Sequence, residues 1–278
     1  MSENRDFLVR FWGVRGSISI SDANSVRYGG NTSCLEIRCG EQLLIFDTGS
    51  GFRYLGNELI KSGRTIDADI FLSHTHYDHI CGIPFFKPFF NPENKFRLSA
   101  GHLLPETNIR DVLSDLMKTP LFPVSLDIFQ SKIKFHDFAI GDALTIGTDV
   151  VVRTAPLNHP NGATGYRIEF EGKSICYLTD TEHVPGELDQ NILRLIHGAD
   201  LVIYDSMFTE DEYKTCAGWG HSTWQAGADL CDAARVSQFV IFHHDPDHDD
   251  NFMDQIAVAA KKRRPGTIVA QEGMVLRP

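Results

Sequence analysis

The segment Ser73-His74-Thr75-His76-Tyr77-Asp78-His79 is the feature that most constrains this chain of 278 residues. It directly follows the apolar run Ile70-Phe71-Leu72. In an extended stretch alternate side chains point the same way, so His74 and His76 would share one side, with Asp78 and His79 in the turn beyond. Three imidazoles and one carboxylate within six residues suit a borderline-soft divalent ion such as zinc. The fold must therefore place the end of a buried strand at a metal site.

Further candidate ligands follow other apolar runs of the sequence. In α/β proteins, ligand sites lie at the carboxyl ends of strands. Each of these candidates is weak alone, because an Asp at a strand end is usually a turn residue and a His before Pro is usually structural. Their common position and their order along the chain are informative. The three segments are Asn158-His159-Pro160, Thr179-Asp180-Thr181 and His243-His244-Asp245-Pro246.

Short β runs alternate with helical segments along the whole chain, without a linker or an internal repeat. This order favours a sheet core covered by helices, and the periodicity alone fits a doubly wound sheet equally well. Strands are predicted at Phe7–Trp12, Cys34–Cys39, Gln42–Phe46, Asp69–Leu72, Val150–Thr154, Thr164–Phe170, Lys173–Leu178, Leu201–Tyr204, Phe239–Phe242, Thr267–Ala270 and Met274–Leu276. Helices are predicted at Phe52–Lys61, Glu106–Lys118, Glu187–His197, Thr223–Arg235 and Asn251–Arg263.

Composition bounds the class of protein. Hydrophobic residues make up 42% and charged residues 23%, which is a globular balance. The net charge of −11 disfavours a protein whose main task is non-specific binding to nucleic acid or to an anionic membrane. The polar N-terminus shows no secretory signal, no apolar run reaches 18 residues, and the six Cys are scattered. We therefore expect a cytoplasmic protein with reduced cysteines.

The chain resembles metallo-β-lactamase-fold hydrolases over nearly its whole length. Within them it is most similar to the branch of ribonuclease Z and bacterial cyclic-nucleotide phosphodiesterases. The histidine motif is specific for the superfamily, and the other elements narrow the branch. These other elements are Phe11-Trp12-Gly13-Val14-Arg15-Gly16-Ser17, Tyr28-Gly29-Gly30-Asn31-Thr32-Ser33-Cys34, Phe46-Asp47-Thr48-Gly49-Ser50-Gly51, Thr179-Asp180-Thr181-Glu182, Gly220-His221-Ser222-Thr223 and Phe242-His243-His244-Asp245-Pro246.

The resemblance implies a single domain over residues 1–278, folded as a four-layer αββα sandwich with a site for two divalent ions. These would be zinc, with manganese or iron as alternatives. By matching motif positions, one ion would be held by His74, His76 and His159. The other would be held by Asp78, His79 and His244, with Asp180 bridging, and His243 is the competing candidate for the place of His244.

The same resemblance implies catalytic residues beside the metals. A bridging hydroxide would attack the substrate, and Asp78 would orient it or accept its proton. His221 would protonate the leaving alkoxide, paired with Asp205 after the run Leu201–Tyr204. Ser222 would cap the helix that follows His221 in a Ser-x-x-Gln capping box. Asp47 is expected to hold a ligand His, and Asn31 would lie close to the substrate.

Two divalent ions and two Asp carboxylates would leave the site locally positive in an acidic protein, which favours a phosphodiester. We therefore expect a phosphodiesterase for small cyclic nucleotides or related cyclic phosphodiesters. The alternative is tRNA 3′-end processing as in ribonuclease Z. Hydrolysis of a thiolester or lactam, an inactive metal-binding scaffold and di-iron redox chemistry are less favoured. The last is disfavoured because related di-iron proteins usually carry Glu at the place of His76.

The segment 101–135 is the candidate insert. Its basic and acidic residues balance and form no basic stripe, which disfavours folded RNA as the main partner. The amphipathic stretch Leu116–Pro123 within it could form a lid or a homodimer contact.

Overall fold

Two β-sheets of seven strands each form the centre of the protein, and the computed structural model describes residues 6–278. The first sheet contains β1 (Phe7–Gly13), β2 (Cys34–Cys39), β3 (Gln42–Phe46), β4 (Asp67–Leu72), β5 (Lys95–Ala100), β6 (Lys132–Asp137) and β14 (Val275–Leu276). The second contains β7 (Ala143–Ile146), β8 (Val150–Leu157), β9 (Ala163–Phe170), β10 (Lys173–Leu178), β11 (Leu201–Asp205), β12 (Gln238–Phe242) and β13 (Ile268–Val269). Residues 1–5, part of the N-terminus used to judge targeting, lie outside the described residues.

Seven α-helices accompany the sheets in the described part of the chain. They are α1 (Gly51–Lys61), α2 (Tyr77–Ile80), α3 (Ile109–Leu116), α4 (Gln190–Ile196), α5 (Glu210–Cys216), α6 (Trp224–Ala233) and α7 (Asp250–Arg263). None of the helices within residues 6–278 is both long enough and apolar enough to cross a bilayer.

The protein has four layers, two central sheets and an outer layer of helices on each, and three apolar clusters pack them together. Phe46, Tyr166 and Phe242 belong to the cluster that fills the space between the sheets. A second cluster packs α1 and α3 on the outside of the first sheet, and a third packs α4, α6 and α7 on the outside of the second. This arrangement confirms the predicted αββα sandwich. Burial alternates along β1 because Phe7, Val9 and Phe11 face the cluster between the sheets.

Strand direction determines where functional side chains can meet. Neighbours from β3 to β6 run parallel, and so do neighbours from β10 to β13. The carboxyl ends of each parallel set therefore open at one edge of its sheet. The turns after β3, β4, β10 and β12 begin there.

Several predicted boundaries are wrong. The helix predicted at Glu106–Lys118 begins at Ile109, because the Asn108 side chain accepts the Asp111 amide and caps it. The helix predicted at Glu187–His197 begins at Gln190 after its cap Asp189.

Strands β5, β6 and β7 were not predicted. Charged residues such as Arg97, which binds Asp69, obscure the apolar pattern of β5.

The segment 101–135 is partly built into the core. Ile109 and Leu113 of α3 are buried in the cluster on the first sheet, whereas Leu121 is 75% exposed. A lid or dimer role for this segment stays a prediction.

Arg15 is a fully buried cation that ties three parts of the chain together. Its guanidinium donates to the carbonyl oxygens of Gly29 (2.7 Å), Asp245 (2.9 Å) and His248 (2.7 Å). It thereby holds the turn after β1 against the loop that follows β12.

Replacing Arg15 by Met should lower the free energy of unfolding by about 2–4 kcal/mol, because buried carbonyl groups lose their donors. Urea denaturation measures this change. The exposed Arg53 gives the control, since Arg53→Met should stay within about 0.5 kcal/mol of wild type. Equal stability of the two variants would contradict the role given to Arg15.

Candidate metal centre

The ends of five strands and the loop before α6 bring the candidate site residues together. The motif His74–His79 follows β4, His159 follows β8, and Asp180 follows β10. Asp205 ends β11, His243 follows β12, and His221 precedes α6. Residues far apart in the sequence thus converge at the edge where both sheets open.

His74, His76 and His159 form the first group of possible ligands. Their ring centroids are 4.5 to 4.9 Å apart. The Nδ1 atom of His76 lies 3.0 Å from the Nε2 atom of His159. Two ring nitrogens at this separation could bind one ion at the usual zinc–nitrogen distance of about 2.0–2.1 Å.

Asp78, His79 and His243 form the second group. The Oδ2 atom of Asp78 lies 3.2 Å from His79 Nε2 and 3.5 Å from His243 Nε2. All three side chains are buried. The backbone N–H of Ser17 donates to the same carboxylate oxygen at 2.8 Å, which fixes the orientation of Asp78.

The Asp180 carboxylate lies between the two groups. Its Oδ1 atom is 3.7 Å from His74 Nε2 and 3.7 Å from His159 Nε2. Its Oδ2 atom is 3.1 Å from His79 Nε2 and 3.3 Å from His243 Nε2. One oxygen therefore faces each group, which is the geometry that a bridging ligand requires.

The structure places the ring of His243, the competing candidate, in the second group of possible ligands and the ring of His244 outside it. His243 adopts a left-handed backbone conformation (φ 63°) just after β12, which turns its ring into the site. The backbone of His244 instead pairs with Val14 and Gly16. The His244 side chain points away, and its Nε2 lies 2.9 Å from the Ala270 carbonyl oxygen.

The donor set fits a divalent cation. The Nε2 atoms of His74, His79 and His243 are buried and make no hydrogen bond. Burial holds the pKa of His74 well below its usual value, which keeps its lone pair free. Burial also opposes charge on His79, yet Asp180, Asp78 and Asp47 together raise the pKa of its ring well above its usual value. The carboxylates around His79 thus favour positive charge at the second group.

Asp47 supports one of these histidines. Its Oδ2 atom lies 2.8 Å from His79 Nδ1 and accepts the hydroxyl groups of Ser73 and Tyr177 at 2.8 Å each. Its Oδ1 atom accepts the backbone N–H of Ser73 at 2.7 Å. Since His79 Nδ1 is held by this carboxylate, Nε2 is the atom left for a metal, as is usual for metal-binding histidines.

His221 and Asp205 form a pair beside both groups. His221 Nδ1 lies 2.9 Å from Asp205 Oδ2, and the His221 ring stacks on His243 at 5.0 Å. Burial opposes protonation of His221, but the neighbouring Asp205 carboxylate raises its pKa to about 9. The Asp205 carboxylate thus favours the protonated form of the His221 ring at the edge of the site.

One of the expected supporting residues, Ser222, is placed differently. The Ser222 hydroxyl contacts His183 Nδ1 (2.9 Å) and accepts from the Tyr204 hydroxyl (3.0 Å), so it does not cap α6. The side chain of Thr223 caps that helix instead, by accepting the Ala226 amide. The Asn31 side chain donates to Glu272 and accepts from the Ser50 hydroxyl, and its place close to the substrate stays a prediction.

Four supporting residues escaped the sequence reasoning. The hydroxyl groups of Ser73 and Tyr177 donate to Asp47. Tyr177 lies in the core strand β10, whose residue types give no sign of a polar role. Gly16 gives His243 its space, because a Cβ atom there would lie 2.5 Å from the ring. Glu182 binds the segment before His221. Ser73, Gly16 and Glu182 lie in motifs recognised in the sequence, whereas Tyr177 carried no such signal.

Metal content should separate the two adjacent histidines. His243→Ala removes a ring nitrogen from the second group and should lower the content of bound divalent metal. His244→Ala, the matched control, removes a ring that faces the Ala270 carbonyl oxygen and should leave the content unchanged. Elemental analysis of the purified variants measures both. Loss of metal in His244→Ala alone would contradict the assignment.

Known proteins share this architecture and its sequence pattern. The family model for the beta-lactamase superfamily domain matches residues 43–244. The ribonuclease Z of Haloarcula marismortui is 22% identical, with 97% of this chain and 96% of that protein covered. The metallo-beta-lactamase fold protein YhfI from Bacillus subtilis superposes with a TM-score of 0.74 at 18% identity, covering 98% of this chain and 99% of that one. A diphosphatase of the PhnP family superposes with a TM-score of 0.71 at 18% identity, and the superposition covers 98% of each chain. The suspected resemblance is confirmed, and the chain belongs to the beta-lactamase superfamily.

Proposed function

We propose that the protein is a dinuclear-metal phosphodiesterase that hydrolyses small cyclic nucleotides or related cyclic phosphodiesters. The observation that carries the proposal is the Asp180 carboxylate, with one oxygen toward each group of histidines. The likeness to a ribonuclease Z and to a diphosphatase supports a phosphoester as the substrate.

His74, His76 and His159 would hold one ion, and Asp78, His79 and His243 the other, with Asp180 shared. The preponderance of imidazole favours zinc, and manganese or iron are the alternatives. When bound, two such ions lower the pKa of water and offset the negative charge that grows on phosphoryl oxygens.

The protein supplies the groups that orient and move protons. The Asp78 carboxylate, held by the Ser17 amide, would orient the attacking water and accept its proton. Because Asp205 holds His221 at Nδ1, the opposite nitrogen, Nε2, would donate a proton to the leaving oxygen. A thiolester or lactam hydrolase would leave this His–Asp pair without a clear task.

Charge favours a small substrate. The net charge of −11 opposes the approach of a long polyanion, and the segment 101–135 carries no basic stripe. A small phosphodiester need only enter the locally positive site.

Processing of tRNA 3′ ends is the second candidate. It is favoured by the similarity to ribonuclease Z, which extends over 97% of this chain. The two candidates differ in the size of the substrate and require the same metal centre.

A substrate panel distinguishes the two candidates. The metal-loaded protein should hydrolyse bis-p-nitrophenyl phosphate and at least one 2′,3′- or 3′,5′-cyclic nucleotide, with a larger kcat/KM for the cyclic nucleotide than for a pre-tRNA. Removal of the metal with a chelator should abolish turnover. A larger kcat/KM for pre-tRNA would select the second candidate. No turnover of any phosphodiester with two metals bound would contradict the proposed function.

His221→Ala should lower kcat by about 10²–10⁴-fold without changing the metal content, because the leaving oxygen loses its proton donor. Steady-state kinetics and elemental analysis measure the two effects. The exposed His197 serves as the control, and His197→Ala should retain full activity. Full activity in His221→Ala would remove it from the mechanism.

A further inference from the structure

Glu182 places its carboxylate among three donors from one short part of the chain. Its Oε1 atom accepts from the Gly218 amide (2.6 Å) and the Tyr213 hydroxyl (2.9 Å). Its Oε2 atom accepts from the Gly220 amide (2.8 Å). Both oxygens are therefore used as acceptors.

The segment Gly218–His221 lies between α5 and α6 and has no helical or strand structure of its own. Backbone amides in such a segment need acceptors from elsewhere. Glu182 supplies them to Gly218 and Gly220, on either side of Trp219. Glu182 is thus the side chain that accepts both glycine amides of the segment, while the Trp219 amide donates to the Cys216 carbonyl oxygen.

The backbone of Glu182 joins the same residue to the turn after β8. Its amide donates to the Asn158 carbonyl oxygen at 2.8 Å, and the Asn158 side chain donates back to the Glu182 carbonyl oxygen at 2.9 Å. His159 is the next residue along that turn. Glu182 therefore connects three segments that carry site residues, those with His159, Asp180 and His221.

Gly220 connects the segment to the candidate ligand His159. Its carbonyl oxygen lies 2.7 Å from His159 Nδ1, which leaves His159 Nε2 facing His76. Gly220 has a φ of +87°, and a Cβ atom there would lie 2.5 Å from His159 Nδ1. A small shift of Gly220 would therefore move both His159 and the adjacent His221.

We propose that Glu182 is a positioning residue that fixes the segment Gly218–His221, and through it the orientations of His159 and His221. The part of the proposal that concerns rate rests on the proposed phosphodiesterase function. The part that concerns the segment rests on the contacts alone.

Glu182→Gln tests the proposal with little change of shape. A carboxylate offers an acceptor at both ends, whereas an amide presents an NH₂ group at one end, which cannot accept from a backbone N–H. The variant should therefore lose the hydrogen bond from the Gly218 amide or the one from the Gly220 amide and keep the other.

Trp219 reports on the segment directly. It is 64% exposed, whereas Trp224 is 7% exposed and Trp12 is half-buried, so acrylamide quenches Trp219 preferentially. In substrate-free protein, Glu182→Gln should increase the quenching constant, and the increase should vanish when Trp219→Phe is added. Glu169→Gln is the matched control, because Glu169 binds Arg153 and Arg167 on the outer face of the second sheet. It should change neither quenching nor turnover.

Turnover gives the second readout, measured at saturating metal. Glu182→Gln should lower kcat by about 10–100-fold, as expected for a small misplacement of a catalytic group, and should change KM less than kcat. In a His221→Ala background the same substitution should lower kcat by a smaller factor, because the group it positions is absent.

Unchanged quenching in Glu182→Gln would overturn the proposal, whether kcat falls or not. If thermal unfolding shows that this variant folds poorly, Tyr213→Phe removes only one hydrogen bond to Glu182 and should raise quenching in the same direction. If the wild-type protein hydrolyses no phosphodiester, the proposed function fails, while the quenching comparison still decides whether Glu182 holds the segment.

Discussion

The buried Asp180 carboxylate is the interaction on which the site depends. It is 2% exposed and lies against imidazoles from three separate turns. An isolated carboxylate at this depth would be costly, because burial disfavours the charged form. A cation on each side of the carboxylate would remove that cost, and the arrangement of the surrounding histidines suits such ions. The two sheets and their helices serve to hold these turns at one edge.

The chain turns sharply at three residues that supply or support the candidate ligands. Asp47 and His243 directly follow strands, Asp180 comes one residue later after β10, and all three adopt the left-handed backbone conformation, with φ between 58° and 63°. This conformation costs roughly 1–2 kcal/mol for a residue other than Gly. Hydrogen bonds around Asp47 and the close fit of His243 against Gly16 show how the surrounding structure holds two of these turns. Strain of this kind is common at functional sites, where the rest of the fold stabilises it.

Much of the fold and of the site could be predicted from the sequence, because the strongest signals are local. The motif His74–His79 directly follows a buried strand, and the apolar runs before Asp180 and His243 are equally clear. The choice between His243 and His244 could not be made in this way. Adjacent residues point to opposite sides, and which one faces inward depends on the backbone turn at His243 and on the pairing of His244 with Val14.

Supporting residues were harder to predict for a related reason. The spacing of Ser222 and Gln225 fits a capping box, yet Thr223 caps α6. The Ser222 hydroxyl instead binds His183 and Tyr204, which are both far from it in the sequence. The Glu182 carboxylate acts across a gap of more than thirty residues, at Gly218 and Gly220. Such contacts depend on tertiary structure, and a single sequence carries only their residue types.

Anomalous diffraction from a zinc-loaded crystal tests the central claim most directly. The account predicts two zinc peaks, one among His74, His76 and His159 and one among Asp78, His79 and His243, with Asp180 contacting both. A single peak, or a peak coordinated by His244, would contradict it.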